Sequence, residues 1–472
     1  MNTYFASVGE KLALDLPPPI VRSLSPESVT QTNIVPSLSE VNLSEVGVLR
    51  QIKLLKPNKA NGPNGISPKL LKLASYAVSP HLTSLFRWSI HHETVYEGWK
   101  LARVSPIFKK DDSTDPGNYR PVSILSVPSK LLESEINTAI VNHVTYNNLI
   151  TPNQWAYRKA HSTELLLIHL TEKWRRFVDD GLTVAVAFVD FRKAFDSVLH
   201  TNLLDKLRGQ FGIDGKLYAW LDSYLSNRKQ FTTINGKESS RMYVRCGVPQ
   251  DSVLGPTLFT LFTNDLPLSI KSGDTFMYAD DTTVFSIGSS QDVACNLLNC
   301  ALEEFYTWCV NNRLTPHPGK CEVMLLSKAR PIGPLPAIYI GKSIIEYKAT
   351  ARLLGVTLDR NLSWIPHLKE VIKNFANKLS LLKKSKFLPR HVCESFYMKV
   401  IKPSITYAMP VWGGVNQAEL FKTLERQHCR AARIIFGFPS DMPTVDVLAT
   451  VKWNTLTYMY KSSLCRDICL LD

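Results

Sequence analysis

The sequence predicts a mixed α/β (α+β) fold, and three observations support this prediction. Residues 182–189 form a Val-rich, nearly continuous apolar run, which is typical of a β-strand buried on both faces. Residues 276–285 place β-favouring residues on either side of two adjacent acids, as in a β-hairpin with the acids at its tip. From residue 368 onward the pattern of apolar residues predicts helices.

The length, charge and composition of the chain limit the classes of protein to which it can belong. The 472 residues could hold two or three domains, and 44% hydrophobic and 20% charged residues are typical of a soluble globular protein. A net charge of +14 and a pI near 9.2 favour a polyanionic partner, either nucleic acid or an anionic membrane surface. No apolar stretch is as long as a membrane span and no signal-peptide pattern is present, so no membrane partner is expected. Nine cysteines without paired spacing predict reduced thiols.

Three aspartates are the first candidates for chemistry. Asp280 and Asp281 repel each other at the hairpin tip, which favours a divalent cation, although such pairs also occur in ordinary solvated turns. Asp190 ends the buried strand, where a carboxylate is costly without a partner or metal, unless it caps a helix beginning near Arg192. On adjacent strands these acids could hold two Mg²⁺ ions, which clamp the attacking and leaving oxygens of phosphoryl transfer.

Three segments around these acids resemble a known family in their order and spacing. They read DFRKAFDSV over residues 190–198, GVPQ over 247–250 with SVLGP over 252–256, and YADD over 278–281. These segments resemble core motifs of reverse transcriptases, specifically the jockey-like, LINE-type enzymes of non-LTR retrotransposons. The resemblance covers roughly residues 49–388 and implies a right-hand polymerase fold with fingers, palm and an α-helical thumb.

The resemblance also implies a reaction. A primer 3′-OH would attack a deoxynucleoside triphosphate on an RNA template, with Asp190 and Asp280 holding two Mg²⁺ ions (Mn²⁺ possible) and Asp281 beside them. Lys320 stands where the family carries a lysine proposed to protonate the departing pyrophosphate, and the plain alternative is a surface lysine. Expected partners are template RNA, primer DNA and dNTPs, in a ribonucleoprotein particle of nucleus and cytoplasm, with the oligomeric state open.

Four further residues are candidates for binding the incoming nucleotide. A hairpin carrying Lys109 and Arg120 would aim two cations at a triphosphate, although exposed cations on a hairpin are usually only solvated. Phe195 resembles a steric gate against a ribose 2′-OH, or else packs on the sheet. Gln250 would face the nucleotide and the minor groove of the template–primer. Asp251 departs from the family, which has Gly there, and a carboxylate at that point repels phosphate.

The candidates for template and primer binding lie on both sides of these motifs. Tyr157 and Arg158 belong to a QWAYR run that resembles a template-binding finger motif, with Ala156 in place of Gly, or that forms a core edge with a snorkelling Arg. Gly355 lies in a segment resembling the primer grip. A basic cluster suits a thumb that holds duplex phosphates, or is simply a solvated face. Its members are Lys378, Lys383, Lys384, Lys386 and Arg390.

The predicted organisation has four parts. Residues 1–45 are a largely flexible linker with one short helix over 5–14, and residues 46–182 are an N-terminal extension and fingers. Residues 183–367 are the palm, residues 368–472 are the thumb, and the reverse transcriptase domain covers about 100–360. No segment resembles the endonuclease domain that precedes the linker in this family, so a truncated reading frame is expected.

Two other interpretations stay open at this point. A relic that binds nucleic acid without efficient polymerisation is favoured by Asp251, by Ala156 and by the absent endonuclease segment. A group II intron maturase is the second alternative, but the amino-acid sequences of residues 190–197 and 354–364 do not favour it.

Overall fold

The strand predicted over residues 182–189 is the centre of the fold. In the computed structural model, which describes residues 1–19, 35–328, 333–385, 387–414 and 418–471, it is β3 (Thr183–Val189), and all seven of its residues are buried. It lies inside a six-stranded sheet. In spatial order the strands of this central sheet are β10 (Ile338–Ile340), β11 (Ser343–Tyr347), β9 (Glu322–Leu326), β3, β8 (Asp281–Gly288) and β7 (Asp274–Tyr278).

Alternation along β3 explains its apolar run. Because successive side chains of a strand point to opposite faces, Ala185, Ala187 and Val189 enter one hydrophobic core. Val184, Val186 and Phe188 enter another core, on the opposite face. Both faces of the central sheet are therefore covered, which confirms that this strand is buried on both sides.

A second sheet lies beside the central one. Its strands are β1 (Leu101–Phe108), β2 (Tyr119–Ile124), β4 (Arg228–Ile234), β5 (Lys237–Glu238) and β6 (Met242–Val244). The order is β2-β1-β4-β5, and β6 also pairs with β4. The β1–β2 pair is an antiparallel hairpin, whereas β1 and β4 run parallel. A separate two-stranded ribbon consists of β12 (Thr350–Leu353) and β13 (Val356–Asp359).

The first core is closed mainly by helices that precede residue 313. The helices whose buried residues share this core with β3 are α2 (Glu45–Leu54), α3 (Pro68–Leu73), α4 (Ser75–His91), α5 (Val127–Tyr146), α7 (His200–Phe211), α8 (Gly215–Leu225), α9 (Leu254–Phe262), α10 (Leu266–Ser269) and α11 (Gln291–Asn312). Helix α1 (Asn2–Leu14) precedes them and packs on β4 and β6 instead.

The second core joins the central sheet to the helices that follow it. The predicted helical region begins at residue 365, three residues earlier than expected, and its apolar faces meet β3 and α6. These helices are α6 (Thr163–Asp179), α12 (Ile365–Lys384), α13 (Arg390–Phe396), α14 (Pro403–Thr406), α15 (Met409–Trp412), α16 (Ala418–Phe436), α17 (Thr444–Thr450) and α18 (Leu456–Leu471). The mixed α/β fold is thus confirmed, and within the described ranges no helix is long and apolar enough to span a membrane.

The predicted domain boundaries stay predictions. The short helix expected over residues 5–14 is part of α1, which is packed against the body through Asn2, Phe5 and Val8. Residues 20–34 of the predicted linker, and Lys386 of the basic cluster, lie outside the described residues.

His367 and His428 are both buried against the second core, and burial lowers the pKa of each to about 4, so this core is sensitive to acid. His428 is fully buried, stacks on Trp453 and bonds through Nε2 to the carbonyl of Asn454 at 3.1 Å. Its other ring nitrogen bonds to the hydroxyl of Tyr397. Desolvation disfavours the charged ring and lowers the pKa of His428 to about 4, against a smaller opposing effect of the bond to Asn454.

We predict that the fold loses stability as pH falls from about 6.5 to about 4. The unfolded state takes up a proton at His428 over this range while the folded state does not, which costs about 3 kcal/mol for this residue, and His367 contributes in the same direction. Calorimetric Tm values should fall steeply below pH 6.5 for the native chain and less steeply for His428→Gln. His81→Gln, on an exposed residue, is the control and should follow the native curve. Parallel curves for all three proteins would contradict the prediction.

Candidate active site

A strained two-residue turn carries the adjacent acids. Tyr278 pairs with Asp281 across the β7–β8 hairpin, so Ala279 and Asp280 form the turn. Ala279 has φ +57°, in the left-handed region that a residue with a Cβ adopts at some cost. The hairpin is therefore confirmed, and its tip is held in a conformation that the surrounding structure must maintain.

Strand pairing brings Asp190 beside this turn. Val189 is opposite Thr282 in the antiparallel β3–β8 ladder, so Asp190 and Asp281 follow at the same edge of the sheet. Desolvation by the surrounding protein raises the pKa of Asp281 to about 6, and the nearby carboxylates of Asp280 and Asp190 add to this effect. By surface area the residue itself is exposed. Desolvation, with a smaller contribution from Asp190, also raises the pKa of Asp280. The three acids thus act on one another as the sequence predicts.

The donor set suits a hard divalent cation in part. The carboxylates of Asp280 and Asp190 raise the pKa of Asp281, a repulsion that a divalent cation would relieve, and oxygen is the ligand that Mg²⁺ prefers. Within the described ranges no three His, Cys, Asp or Glu side chains lie close enough together to form a complete metal site. Because Mg²⁺ commonly takes only one or two carboxylates plus water and substrate phosphates, the missing ligands are those a nucleotide would bring.

Lys320 lies against the first of these acids. It ends a 3₁₀ turn (Pro318–Lys320), and its Nζ is 3.7 Å from Oδ2 of Asp190. Both side chains, together with Asp281, line a small cavity of about 110 Å³. The backbone N–H of His317 donates to the carbonyl of Asp190 at 2.8 Å, which fixes the loop that carries the lysine. Lys320 is therefore placed to hold a proton next to the acids.

Two cations stand across from the acids. Arg120 pairs with Ile107 in the β1–β2 hairpin, and the backbone N–H of Lys109 donates to Asn118 at 3.0 Å. Both side chains are exposed, and their charges lower the pKa of Asp280 against the larger effect of desolvation. The structure thus brings Lys109 and Arg120 into the electrostatic range of the acids, where a triphosphate would bridge them.

Phe195 and Gln250 meet in the space between the two sheets. Phe195 stacks on Phe259 with ring centroids 4.4 Å apart, and its carbonyl accepts from Val248 at 2.8 Å. Gln250 donates through Nε2 to Oδ1 of Asp196 at 2.8 Å. Burial raises the pKa of Asp196 to about 6. One face of the Phe195 ring and the amide nitrogen of Gln250 are therefore held by the protein itself.

Asp251 occupies a backbone position suited to glycine. Its φ is +69°, in the left-handed region, and its side chain is 60% exposed. The carboxylate lies 3.6 Å from Nζ of Lys130. The cost of the departure noted in the sequence is therefore local backbone strain and a negative charge that solvent and one lysine screen in part.

The region that contains this site matches a known protein family. The family model described as reverse transcriptase (RNA-dependent DNA polymerase) matches residues 107–358, which contain every residue of the site described so far. The chain belongs to the reverse transcriptase family. It is similar to RNA-directed DNA polymerases from the mobile element jockey of Drosophila melanogaster (28% identical over 427 residues) and of Drosophila funebris (27% over 424). These alignments cover 88% and 87% of this chain but 46% of each relative, so the chain spans about half the length of the curated relatives it matches.

A second type of relative supports the non-LTR assignment. The Pol polyprotein from the type-1 retrotransposable element R1 of Bradysia coprophila is 25% identical over 434 residues, or 87% of this chain and 40% of that protein.

In this member of the family, the QWAYR run supports the turn formed by Ala279 and Asp280. Gln154 is fully buried, and its Oε1 accepts from the backbone N–H of Ala156 at 3.0 Å and of Ala279 at 3.2 Å. The neighbouring backbone pairs with the free edge of β7, since the N–H of Trp155 donates to Met277 at 2.9 Å. Sequence reasoning considered this run for template contact or core packing and missed the role of Gln154. The only available signal was a polar amide beside an aromatic residue.

Tyr157 and Arg158, at the end of the same run, have different surroundings. Arg158 donates through Nη1 to the carbonyls of Thr151 and Gln154 at 3.1 and 2.9 Å, so its guanidinium is partly used in holding its own loop. Tyr157 is 55% exposed, and partial burial followed by the charge of Asp280 raises its pKa. Tyr157 therefore faces the active site, whereas Arg158 is partly turned towards the protein.

The remaining candidates lie on the opposite side of the acids. Gly355 has φ +86° in the turn between β12 and β13, and the hydroxyl of Tyr407 donates to the carbonyl of Leu354 at 2.5 Å. Lys383 and Lys384 are exposed in the last turn of α12. Lys383 and Lys384 therefore belong to the helical region that begins at residue 365, whereas Gly355 belongs to the two-stranded ribbon before it.

We predict that Gln154→Met loosens the turn formed by Ala279 and Asp280. The substitution keeps the side-chain volume but leaves the buried N–H groups of Ala156 and Ala279 without their acceptor, which costs about 2–3 kcal/mol. The free energy of unfolding should fall by that amount, and kcat for primer extension should fall more than the KM for dNTPs rises. Gln51→Met, on the partly exposed face of α2, is the matched control and should change neither. Equal effects of both substitutions would contradict a role at the turn.

Proposed function

We propose that this chain is an RNA-directed DNA polymerase of the non-LTR retrotransposon type, which extends a primer 3′-OH with dNTPs on an RNA template. The observation that carries the proposal is the meeting of Asp190, Asp280 and Asp281 at one sheet edge, opposite Lys109 and Arg120. In the right-hand description, the central sheet is the palm and the second sheet belongs to the fingers. The helices from residue 365 onward are the thumb.

The acids and the basic residues of the site have different roles in the proposed reaction. Asp190 and Asp280 would hold two Mg²⁺ (or Mn²⁺) ions with Asp281 beside them, and such ions activate the 3′-OH and neutralise charge on the departing pyrophosphate. Lys320, 3.7 Å from Asp190, is placed to give a proton to that pyrophosphate as a general acid. Lys109 and Arg120 bind the triphosphate oxygens and orient the α-phosphate for in-line attack.

Selection of the nucleotide falls to the residues between the sheets. Phe195, braced by Phe259, presents a fixed ring edge where a ribose 2′-OH would clash. Gln250 offers its carboxamide oxygen to the incoming sugar or to the minor groove, because its nitrogen is bonded to Asp196.

Template and primer would lie between fingers and thumb. Tyr157 is exposed beside the acids and can stack on a template base, with Arg158 next to it. The Gly355 turn would touch the primer strand, and Lys383 and Lys384 would contact duplex phosphates. The partners are therefore template RNA, primer DNA and dNTPs, with a ribonucleoprotein particle in nucleus and cytoplasm as the proposed setting.

A weakened polymerase that chiefly binds nucleic acid is the second candidate, and the Asp251 geometry favours it. Its carboxylate is exposed beside Gln250, where template–primer phosphates would pass, and its left-handed backbone is the conformation of the usual glycine.

We predict that Asp280→Ala abolishes Mg²⁺-dependent extension of a DNA primer on an RNA template. Loss of one charge-stabilising group at the reacting atoms lowers kcat by about 10²–10³. Asp274→Ala removes an aspartate from the same hairpin, where it pairs with Lys173 at 2.7 Å, and is the matched control that should keep extension. Equal activity of the Asp280→Ala variant and the native chain would refute the assignment of the acids.

We predict that Asp251→Gly raises the extension rate about threefold to fivefold, because removing a repulsion of about 1 kcal/mol near phosphate changes a rate by that factor. Asp251→Asn removes the charge but keeps the Cβ, so it separates repulsion from backbone strain. Single-turnover extension at low ionic strength is the measurement. No gain in either variant would show that Asp251 does not limit the enzyme.

A further inference from the structure

Helix α1 crosses the junction between the two sheets on the side behind the nucleotide site. At its start, Asn2 is almost fully buried against the second sheet. Its Nδ2 donates to the carbonyl of Ser240 at 2.9 Å, and its Oδ1 accepts from Gln230 and Thr232 at 3.3 and 3.2 Å. A polar side chain with its amide oxygen and nitrogen bonded in this way anchors the helix to one fixed place.

The middle of α1 lies directly on the motif that contains Asp196. Gly9 touches its backbone so closely that a Cβ at residue 9 would stand 1.9 Å from the carbonyl oxygen of Asp196 and 2.7 Å from Sγ of Cys246. Phe5 and Ala6 close a cavity of about 40 Å³ whose other walls include Asp196 and Gln250. The helix therefore helps to shield Oδ2 of Asp196, which is buried although Asp196 and Gln250 as whole residues are partly exposed.

The far end of α1 and the residues just after it are hydrogen-bonded to the loop that follows α11. Thr315 donates through Oγ1 to the carbonyl of Leu12 at 3.0 Å, and Arg313 donates to the carbonyls of Leu16 and Pro17 at 3.2 and 2.5 Å. The carbonyl of Thr315 in turn accepts from the backbone N–H of Arg192, two residues after Asp190, at 2.9 Å. One helix thus connects the second sheet, the Asp196 motif and the loop beside the catalytic acids.

The carboxylate of Asp196, which is paired with Gln250, has only one of its two oxygens hydrogen-bonded to a described residue. Oδ1 of Asp196 accepts from Gln250, but Oδ2 is buried and has no hydrogen-bond partner among the described residues. Water reaching Oδ2 would hydrate the carboxylate and compete with Gln250 for it. The single Asp196–Gln250 bond fixes the carboxamide only while bulk water is kept out.

We propose that α1 is a strap that keeps bulk water from Asp196 and so fixes the carboxamide of Gln250 towards the incoming nucleotide. Asp196 is then a positioning residue, and α1 is part of the polymerase body. The inference rests on the proposed function, because the orientation of Gln250 matters only if a nucleotide is selected there.

The test compares Gly9→Val with Lys11→Val in the full chain. Both add a β-branched residue to α1, but position 9 faces Asp196 whereas Lys11 is exposed. Gly9→Val should speed hydrogen exchange of the backbone amides over residues 194–197 and 246–250, and Lys11→Val should not. With template–primer bound, Gly9→Val should raise the KM for dNTPs about fivefold to tenfold through loss of one oriented hydrogen bond, with kcat within about twofold.

A double-mutant cycle separates positioning from general damage. In a Gln250→Ala background, Gly9→Val should add almost nothing to the KM, because both changes remove the same contact. Thr315→Val loosens the strap at its other end without adding bulk, and serves if Gly9→Val unfolds; it should raise exchange and KM in the same direction by about twofold to threefold.

The outcomes are distinguishable from those of the polymerase test. Hydrogen exchange needs no substrate, so a native chain that extends no primer would count against the proposed function while exchange still decides the strap. Unchanged exchange over residues 246–250 in both Gly9→Val and Thr315→Val would overturn the strap. Effects on KM that add fully to those of Gln250→Ala would overturn the positioning role.

Discussion

The antiparallel pairing of β3 with β8 is the constraint on which the rest of the structure depends. It places Asp190 and Asp281 at one sheet edge, and the hairpin turn adds Asp280. Such pairing is unfavourable by itself, because it brings like charges together in a partly desolvated groove. The register holds because it is fixed elsewhere: side chains of β3 enter two separate cores, and a slip by one residue would exchange those cores.

The acids are therefore supported from behind by groups that take no part in chemistry. Gln154 accepts the N–H of Ala279 and so holds a turn that is strained at that residue. The carbonyl of Asp190 is bonded to His317 in the loop that carries Lys320. In each case a hydrogen bond to the backbone fixes the segment that carries a charged side chain.

The sequence predicted the features whose pattern lies in neighbouring residues, and it did not predict contacts between residues that are far apart in the chain. The buried strand, the hairpin with its acids and the helical region after residue 368 were predictable because period and turn chemistry are written in neighbouring residues. Gln154 and Ala279 lie 125 residues apart, and Asn2 and Gln230 lie 228 apart, so nothing near either residue marks the contact. The departure at Asp251 was visible in the sequence, but only the structure shows that its backbone has the left-handed φ of a glycine.

Desolvation and mutual repulsion at the acids explain why they differ from Asp251 in consequence, even though Asp281 is also exposed. Desolvation raises the pKa of Asp280 and Asp281, which means that the ionised carboxylates are held at a cost that a divalent cation would relieve. The same loss of water strengthens their attraction for that cation, because charges interact more strongly at low dielectric. Asp251 is exposed and costs the fold little, so a carboxylate can occupy that position without disturbing the packing. The exposed carboxylate of Asp251 and the three acids at the strand ends are held by separate contacts, so a change at residue 251 leaves the arrangement of Asp190, Asp280 and Asp281 intact.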